Sequence, residues 1–174
     1  VKNRDQETMF FTIGGHPAFR VPVLEETVQT DYKLLFKGNK ELEYKLICPG
    51  EGTADASHCY KLSLEKYGEY DGCRITENMF DRDALIFDKG QVQWAAIGYP
   101  DGKPYLSLEC EGFTHFGIWS VPGAPFVCLE PWMGRCDDHG FAAEISEKPG
   151  ILKVEPSGTF QKSYRIKVFT PQSD

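Results

Sequence analysis

The chain has 174 residues and a mass of 19.7 kDa, a single-domain size on a scale of roughly 100–200 residues per domain. With 41% hydrophobic and 13% aromatic residues it supplies a sizeable core, which excludes an intrinsically disordered chain. The formal charge of −7, from 19 Lys and Arg against 26 Asp and Glu, and the lack of any Lys/Arg-rich run exclude nucleic acid as the main partner, since phosphate binding draws on clustered positive charge.

No apolar run approaches the roughly 18 residues of a membrane-spanning helix, so no membrane partner is expected. The chain starts at Val1 rather than Met, which points to processing or to a longer parent protein. The six cysteines, Cys48, Cys59, Cys73, Cys110, Cys128 and Cys136, include no Cys-x-x-Cys pair, so no zinc motif is present. Cys110 and Cys128 lie inside apolar runs, where a thiol serves as a small hydrophobe; free thiols in a reducing cytoplasm are expected.

In chain order, an apolar stretch from Phe10 to Ile13 runs into Gly14-Gly15-His16-Pro17. The glycines permit a close backbone approach and Pro17 holds His16 extended, placing an imidazole on a stiff corner. That position suits a proton donor, because imidazoles titrate near physiological pH, and equally suits a hydrogen-bonded turn histidine. Period-two alternation then predicts half-buried strands around Tyr32/Leu34/Phe36, Tyr44/Leu46 and Leu62/Leu64. Turns are expected at Lys37-Gly38-Asn39 and Pro49-Gly50-Glu51-Gly52. The only helical periodicity spans Thr76 to Leu85, with Thr76 as its cap.

Asp83 directly precedes the apolar run Ala84-Leu85-Ile86-Phe87, where its two oxygens can accept sugar hydroxyls or cap a turn. Val92, Trp94 and Ala96 are read as one strand face and Leu106, Leu108 and Cys110 as another, joined by the hairpin signal Pro100-Asp101-Gly102. His115-Phe116-Gly117-Ile118-Trp119 brings a His and a Trp to a strand end. The run Phe126-Val127-Cys128-Leu129 closes on Glu130-Pro131-Trp132. A carboxylate at the end of an apolar run is costly to bury unless paired. Burial would make Glu130 a better base near neutral pH, while a plain ion pair with Arg135 or another cation is the alternative. Trp119 and Trp132 have flat faces for a pyranose or for core packing. After a turn at Pro156-Ser157-Gly158, Gln161 to Phe169 is read as a final half-buried strand, with Tyr164, Ile166 and Val168 on one face. The sum is an all-β, antiparallel single domain over residues 1–174.

Taken in order, Gly14-Gly15-His16-Pro17-Ala18-Phe19, Asp83-Ala84-Leu85-Ile86-Phe87, Phe116-Gly117-Ile118-Trp119 and Ala124-Pro125-Phe126-Val127-Cys128-Leu129-Glu130-Pro131-Trp132-Met133-Gly134 resemble the aldose 1-epimerase (galactose mutarotase) family, most of all its LacX-type bacterial branch. The likeness runs from Met9 to Phe169 and includes Gly150-Ile151-Leu152. It implies a β-supersandwich with a carbohydrate cleft on one concave sheet. It further implies Glu130 as general base, His16 as general acid, Asp83 as a substrate-binding carboxylate with Asp81 left open two positions away, and Trp132 and Phe19 as further substrate-binding residues.

The expected reaction is interconversion of hexose anomers by ring opening, with no metal and no organic cofactor. The alternatives kept are a carbohydrate-binding protein of the same fold without catalysis, and an epimerase of a hexose phosphate, against which the acidic balance weighs. Family members are substantially longer at the N-terminus, where a further Arg and His join the sugar site. The resemblance therefore implies a C-terminal portion of the fold, with open sheet edges that call for a companion chain or a homo-oligomer.

Overall fold

The computed structural model describes residues 1–170. Its strands in chain order begin with β1 (Met9–Phe11), β2 (Ile13–Gly14), β3 (Ala18–Arg20), β4 (Lys33–Phe36) and β5 (Glu41–Tyr44). They continue with β6 (Tyr60–Ser63), β7 (Glu65–Tyr67), β8 (Tyr70–Arg74), β9 (Leu85–Phe87) and β10 (Trp94–Gly98). The last are β11 (Pro104–Glu109), β12 (His115–Trp119), β13 (Phe126–Met133), β14 (Leu152–Val154) and β15 (Arg165–Val168). Every pairing between these strands is antiparallel, as the alternation predicted.

Two larger sheets carry the molecule. One has the order β15-β11-β10-β4-β8-β7; in the other β2 and β3 both pair with β13, followed by β12 and β9. Their inner faces meet in one core, to which Leu34, Phe36, Ile97 and Leu108 contribute from the first sheet and Phe87, Phe116, Ile118 and Leu129 from the second. The β10–β11 hairpin closes at the predicted turn, with the Gly102 N–H donating to Tyr99 O (2.9 Å) and Gly102 at φ 86°. All six cysteines are free thiols. Among the described residues no helix is long and apolar enough to cross a membrane.

Three expectations need correction. From Thr76 to Leu85 the chain makes successive turns, the N–H groups of Met79, Asp81 and Asp83 donating to the carbonyls of Thr76, Asn78 and Phe80. No helix forms, because the segment buries Phe80 and then ends with Asp83 in the left-handed region at φ 66°. On β10 the core-facing residues are Ala95 and Ile97, not Trp94 and Ala96. Trp94 faces out and stacks on Tyr70 at 5.2 Å, with Lys37 Nζ 4.6 Å from its ring centre. Both phases of that strand are apolar, so alternation could not choose between them. In the last segment only β15 is a strand, and it is exposed throughout. Ile166 and Val168 stand in register with Leu108 and Leu106, yet they are 42% and 73% exposed.

Candidate active site

The second sheet turns Cys128, Glu130 and Trp132 toward one face, since alternate residues of a strand share a side. Opposite them runs an interrupted lane: β2 pairs Gly14 with Trp132, and β3 pairs Ala18 with Cys128. The register is identical on both sides of the interruption, so His16 falls directly across from Glu130. The flanking hydrogen bonds agree, Gly15 N–H donating to Pro131 O (3.0 Å) and Leu129 N–H to Pro17 O (3.3 Å). His16 and Glu130 thereby form a non-hydrogen-bonded pair, the kind in which facing side chains approach most closely. Pro17 and Pro131 lack N–H groups and cannot return those bonds, which leaves the ladder open at this point alone.

The outcome is an imidazole Nε2 at 3.4 Å from Glu130 Oε1. The two environments differ: the His16 side chain is 62% exposed and that of Glu130 only 4%. Burial pushes the Glu130 carboxyl above the usual carboxylate range, and Asp83 pushes the same way, although the charge of His16 and the Trp132 hydrogen bond act in opposition. Trp132 Nε1 donates to Glu130 Oε2 at 3.2 Å. Its indole lies flat across the sheet, over Gly14 and Gly117, where an added Cβ would overlap the ring. Glycine is needed at both places for close approach rather than for backbone conformation. On the other side His16 meets Trp119 edge-on, with ring centres 5.9 Å apart.

These groups line a cavity of about 470 Å³ that also takes in Asp83, Ile86 and Arg135. Asp83, and not Asp81, is on its wall; the Asp83 carboxylate also accepts the Ala84 N–H at 2.7 Å, which stabilises the left-handed turn. Phe19 does not line it. Its position opposite Val127, on the core-facing side of β13, packs its ring against the core instead. Among the described residues, His16, Cys128 and Glu130 are also the group whose ligand atoms lie close enough together to hold a metal ion, all within 4.8 Å.

An ion pair of Glu130 with Arg135 was one alternative the sequence left open, but the guanidinium is committed elsewhere. It donates to Asp88 (Nε to Oδ1, 2.9 Å) and to Asp138 (2.7 Å), while Lys45 Nζ sits 2.9 Å from Asp88. Burial raises the Asp88 carboxyl, yet the hydrogen bonds from Arg135 and Lys45 outweigh it and hold the group below its ordinary range. His115 Nε2 is 3.8 Å from Asp88. Its pKa is lowered, mainly by burial and further by Arg135 and Lys45, against the pull of Asp88. This cluster under one end of the cavity was not foreseen, because its members come from four separate segments with no shared spacing.

No family model matches the chain. It is 27% identical over 164 residues to LacX of Lactococcus lactis subsp. lactis, in plasmid and chromosomal forms, covering 94% of this chain and 54% of each relative. The chain spans about half the length of these curated relatives. Among solved structures it superposes on a galactose mutarotase related enzyme from Lactobacillus acidophilus with a TM-score of 0.82 at 22% identity, covering 97% of this chain and 55% of that one. The fold is galactose mutarotase-like. A galactose mutarotase-like protein from Lactobacillus casei gives a TM-score of 0.77 at 20% identity, over 97% of this chain and 56% of that one. The likeness to LacX and the galactose mutarotase-like fold are those the ordered motifs led one to expect.

Proposed function

We propose that the chain carries the acid/base centre of an aldose 1-epimerase-like isomerase, acting on a hexose or a hexose derivative. The observation that carries this reading is the cross-strand pair: a buried carboxylate and an accessible imidazole 3.4 Å apart on the wall of a sugar-sized cavity with two tryptophans. Glu130, ionised, removes the proton from the anomeric O1 hydroxyl while His16, cationic, delivers one to the ring oxygen O5, so the C1–O5 bond breaks and the free aldehyde forms. Rotation about C1–C2 and closure on the other face, with both protons retracing their paths, yields the opposite anomer. Every step moves a proton to or from oxygen.

Burial supports the role of Glu130, because a carboxylate whose proton affinity is raised is a stronger base at neutral pH. Asp83 would accept sugar hydroxyls and Trp132 would carry the apolar face of the pyranose. A phosphorylated hexose finds less support: Arg135, the arginine on the cavity wall, already pairs with Asp88 and Asp138.

Polarimetry on freshly dissolved α-galactose and α-glucose tests the reading. Anomer exchange above the buffer rate is expected, and Glu130→Gln should lower it about 10²–10⁴-fold, the usual worth of a positioned proton-transfer group. Exchange no faster than buffer would reject these sugars, and a fully active Glu130→Gln would place the base elsewhere. A second reading, sugar binding without catalysis, draws on the chain's covering only 54% of LacX; it predicts saturable heat of sugar binding in calorimetry with no anomer exchange.

A further inference from the structure

We propose that His16, Cys128 and Glu130 form a three-ligand site for one soft divalent cation, zinc above all, whose occupation turns the acid/base pair off. The switching clause rests on the reading of Glu130 and His16 as catalytic groups; the binding clause does not.

Cys128 and Glu130 are alternate residues of β13 and leave the sheet on one side, while His16 stands across from Glu130 on the neighbouring lane. The imidazole nitrogen, thiol sulfur and carboxylate oxygen all lie within 4.8 Å of one another. Zinc takes His nitrogen at about 2.0–2.1 Å and carboxylate oxygen at about 2.0–2.2 Å, which in a tetrahedron sets the two atoms about 3.4 Å apart. The observed His16 Nε2 to Glu130 Oε1 separation is 3.4 Å, so two corners of the polyhedron are already in place and the Cys128 sulfur must close only the remaining gap.

The donor chemistry agrees, since thiolate and imidazole select soft and borderline ions over calcium or magnesium. Two of the ligands are held rigidly, Cys128 and Glu130 being buried on a central strand. His16, on the exposed break between β2 and β3, supplies the adjustable third. Three protein ligands leave a fourth position facing the cavity for water or a sugar hydroxyl. On binding, the Cys128 thiol and the His16 imidazolium each release a proton to solvent, the thiolate binds the ion, and the ion takes the lone pairs of Glu130 Oε1 and His16 Nε2. Those are the lone pairs through which the two groups would accept protons, so acid/base exchange stops until the ion leaves. No redox change is involved.

Cobalt(II), a spectroscopically visible substitute for zinc, tests the site directly. The expected result is a thiolate-to-cobalt charge-transfer band with the intense visible bands of tetrahedral coordination, saturating at one equivalent and displaced by zinc. Cys128→Ser should abolish the charge-transfer band. His16→Asn, at an exposed position that leaves packing intact, should weaken binding by at least the roughly 10–100-fold that loss of even a supporting group costs. Cys59→Ser should change nothing, although Cys59 adjoins the surface pair His58 and Asp55 (3.0 Å). No charge-transfer band in the unaltered chain, or a band lost in Cys59→Ser and kept in Cys128→Ser, would overturn the proposal. In parallel, one equivalent of zinc should stop anomer exchange reversibly on addition of chelator, with Cys128→Ser resistant; inhibition that persists undiminished in Cys128→Ser refutes the switch. If the unaltered chain exchanges no anomers, the catalytic reading fails while the cobalt spectrum still decides the metal site.

Discussion

At the scale of single residues, the centre depends on giving two titratable groups opposite surroundings. Glu130 is 3% exposed and receives the Trp132 N–H, whereas His16 stays open to the cavity. Because burial opposes the charge on Glu130, Glu130→Gln is expected to keep or slightly raise the melting temperature at neutral pH while removing activity; differential scanning calorimetry beside polarimetry checks both halves. Trp132→Phe retains an aromatic face for the proposed sugar ligand but deletes the hydrogen bond to the carboxylate. Hydrogen bonds to charged groups are worth about 1.5–3 kcal/mol, so kcat should drop roughly 10–100-fold, the range such an energy represents, with KM little changed. A rise in KM alone would show that the indole N–H serves binding only.

The secondary-structure elements contribute register and clearance. The tryptophan can lie over the sheet only because the neighbouring strands present Gly14 and Gly117 on either side of β13. Gly117→Val should lift the indole from the sheet and break its bond to Glu130. The expected signature is lost anomer exchange, a change in tryptophan fluorescence and an unaltered far-ultraviolet spectrum; wild-type activity in this variant would show that the ring can be accommodated elsewhere. Asp88, just after β9, ties Lys45 to Arg135 at the end of β13.

The folded-state pKa of Asp88 is depressed, so its stabilisation is complete above the ordinary aspartate range. It is lost as pH falls through that range toward the lower folded value. Asp88→Asn leaves Arg135, whose side chain is 6% exposed, with less compensation and should cost about 3 kcal/mol at neutral pH. The cost should shrink in acid. Urea titrations at several pH values measure it, and a pH-independent cost would rule out the ionic account.

For the whole molecule, the uneven feature is the edge at β15. Its residues continue the hydrogen-bonded ladder of β11, yet Ile166 and Val168 stay open to solvent. An exposed apolar edge strand is a template for pairing with another chain. Replacing Val168 with Lys should leave stability within about 0.5 kcal/mol, as for surface changes generally, while reducing concentration-dependent association in sedimentation velocity. Unchanged sedimentation at all concentrations would show that this edge pairs with nothing in solution.

The chain's own residues determined its class and the chemistry available to it. Alternation at Tyr32, Leu34 and Phe36, the Pro100-Asp101-Gly102 turn and the Gly-Gly-His-Pro corner are properties of a few adjacent residues, since dihedral preferences and hydrophobic periodicity act over short spans. Glu130 stood out locally because a carboxylate beside Leu129 and Pro131 has no inexpensive place inside a protein. Only the tertiary structure decided that His16 faces it, that Arg135 serves Asp88 instead, that Phe19 turns to the core, that Trp94 points outward and that the final strand lies open. Those outcomes depend on register between strands distant in sequence, and a shift of a single residue reverses every side chain. Such a choice is settled by hydrogen bonds and packing formed together, and no short stretch of the chain records it.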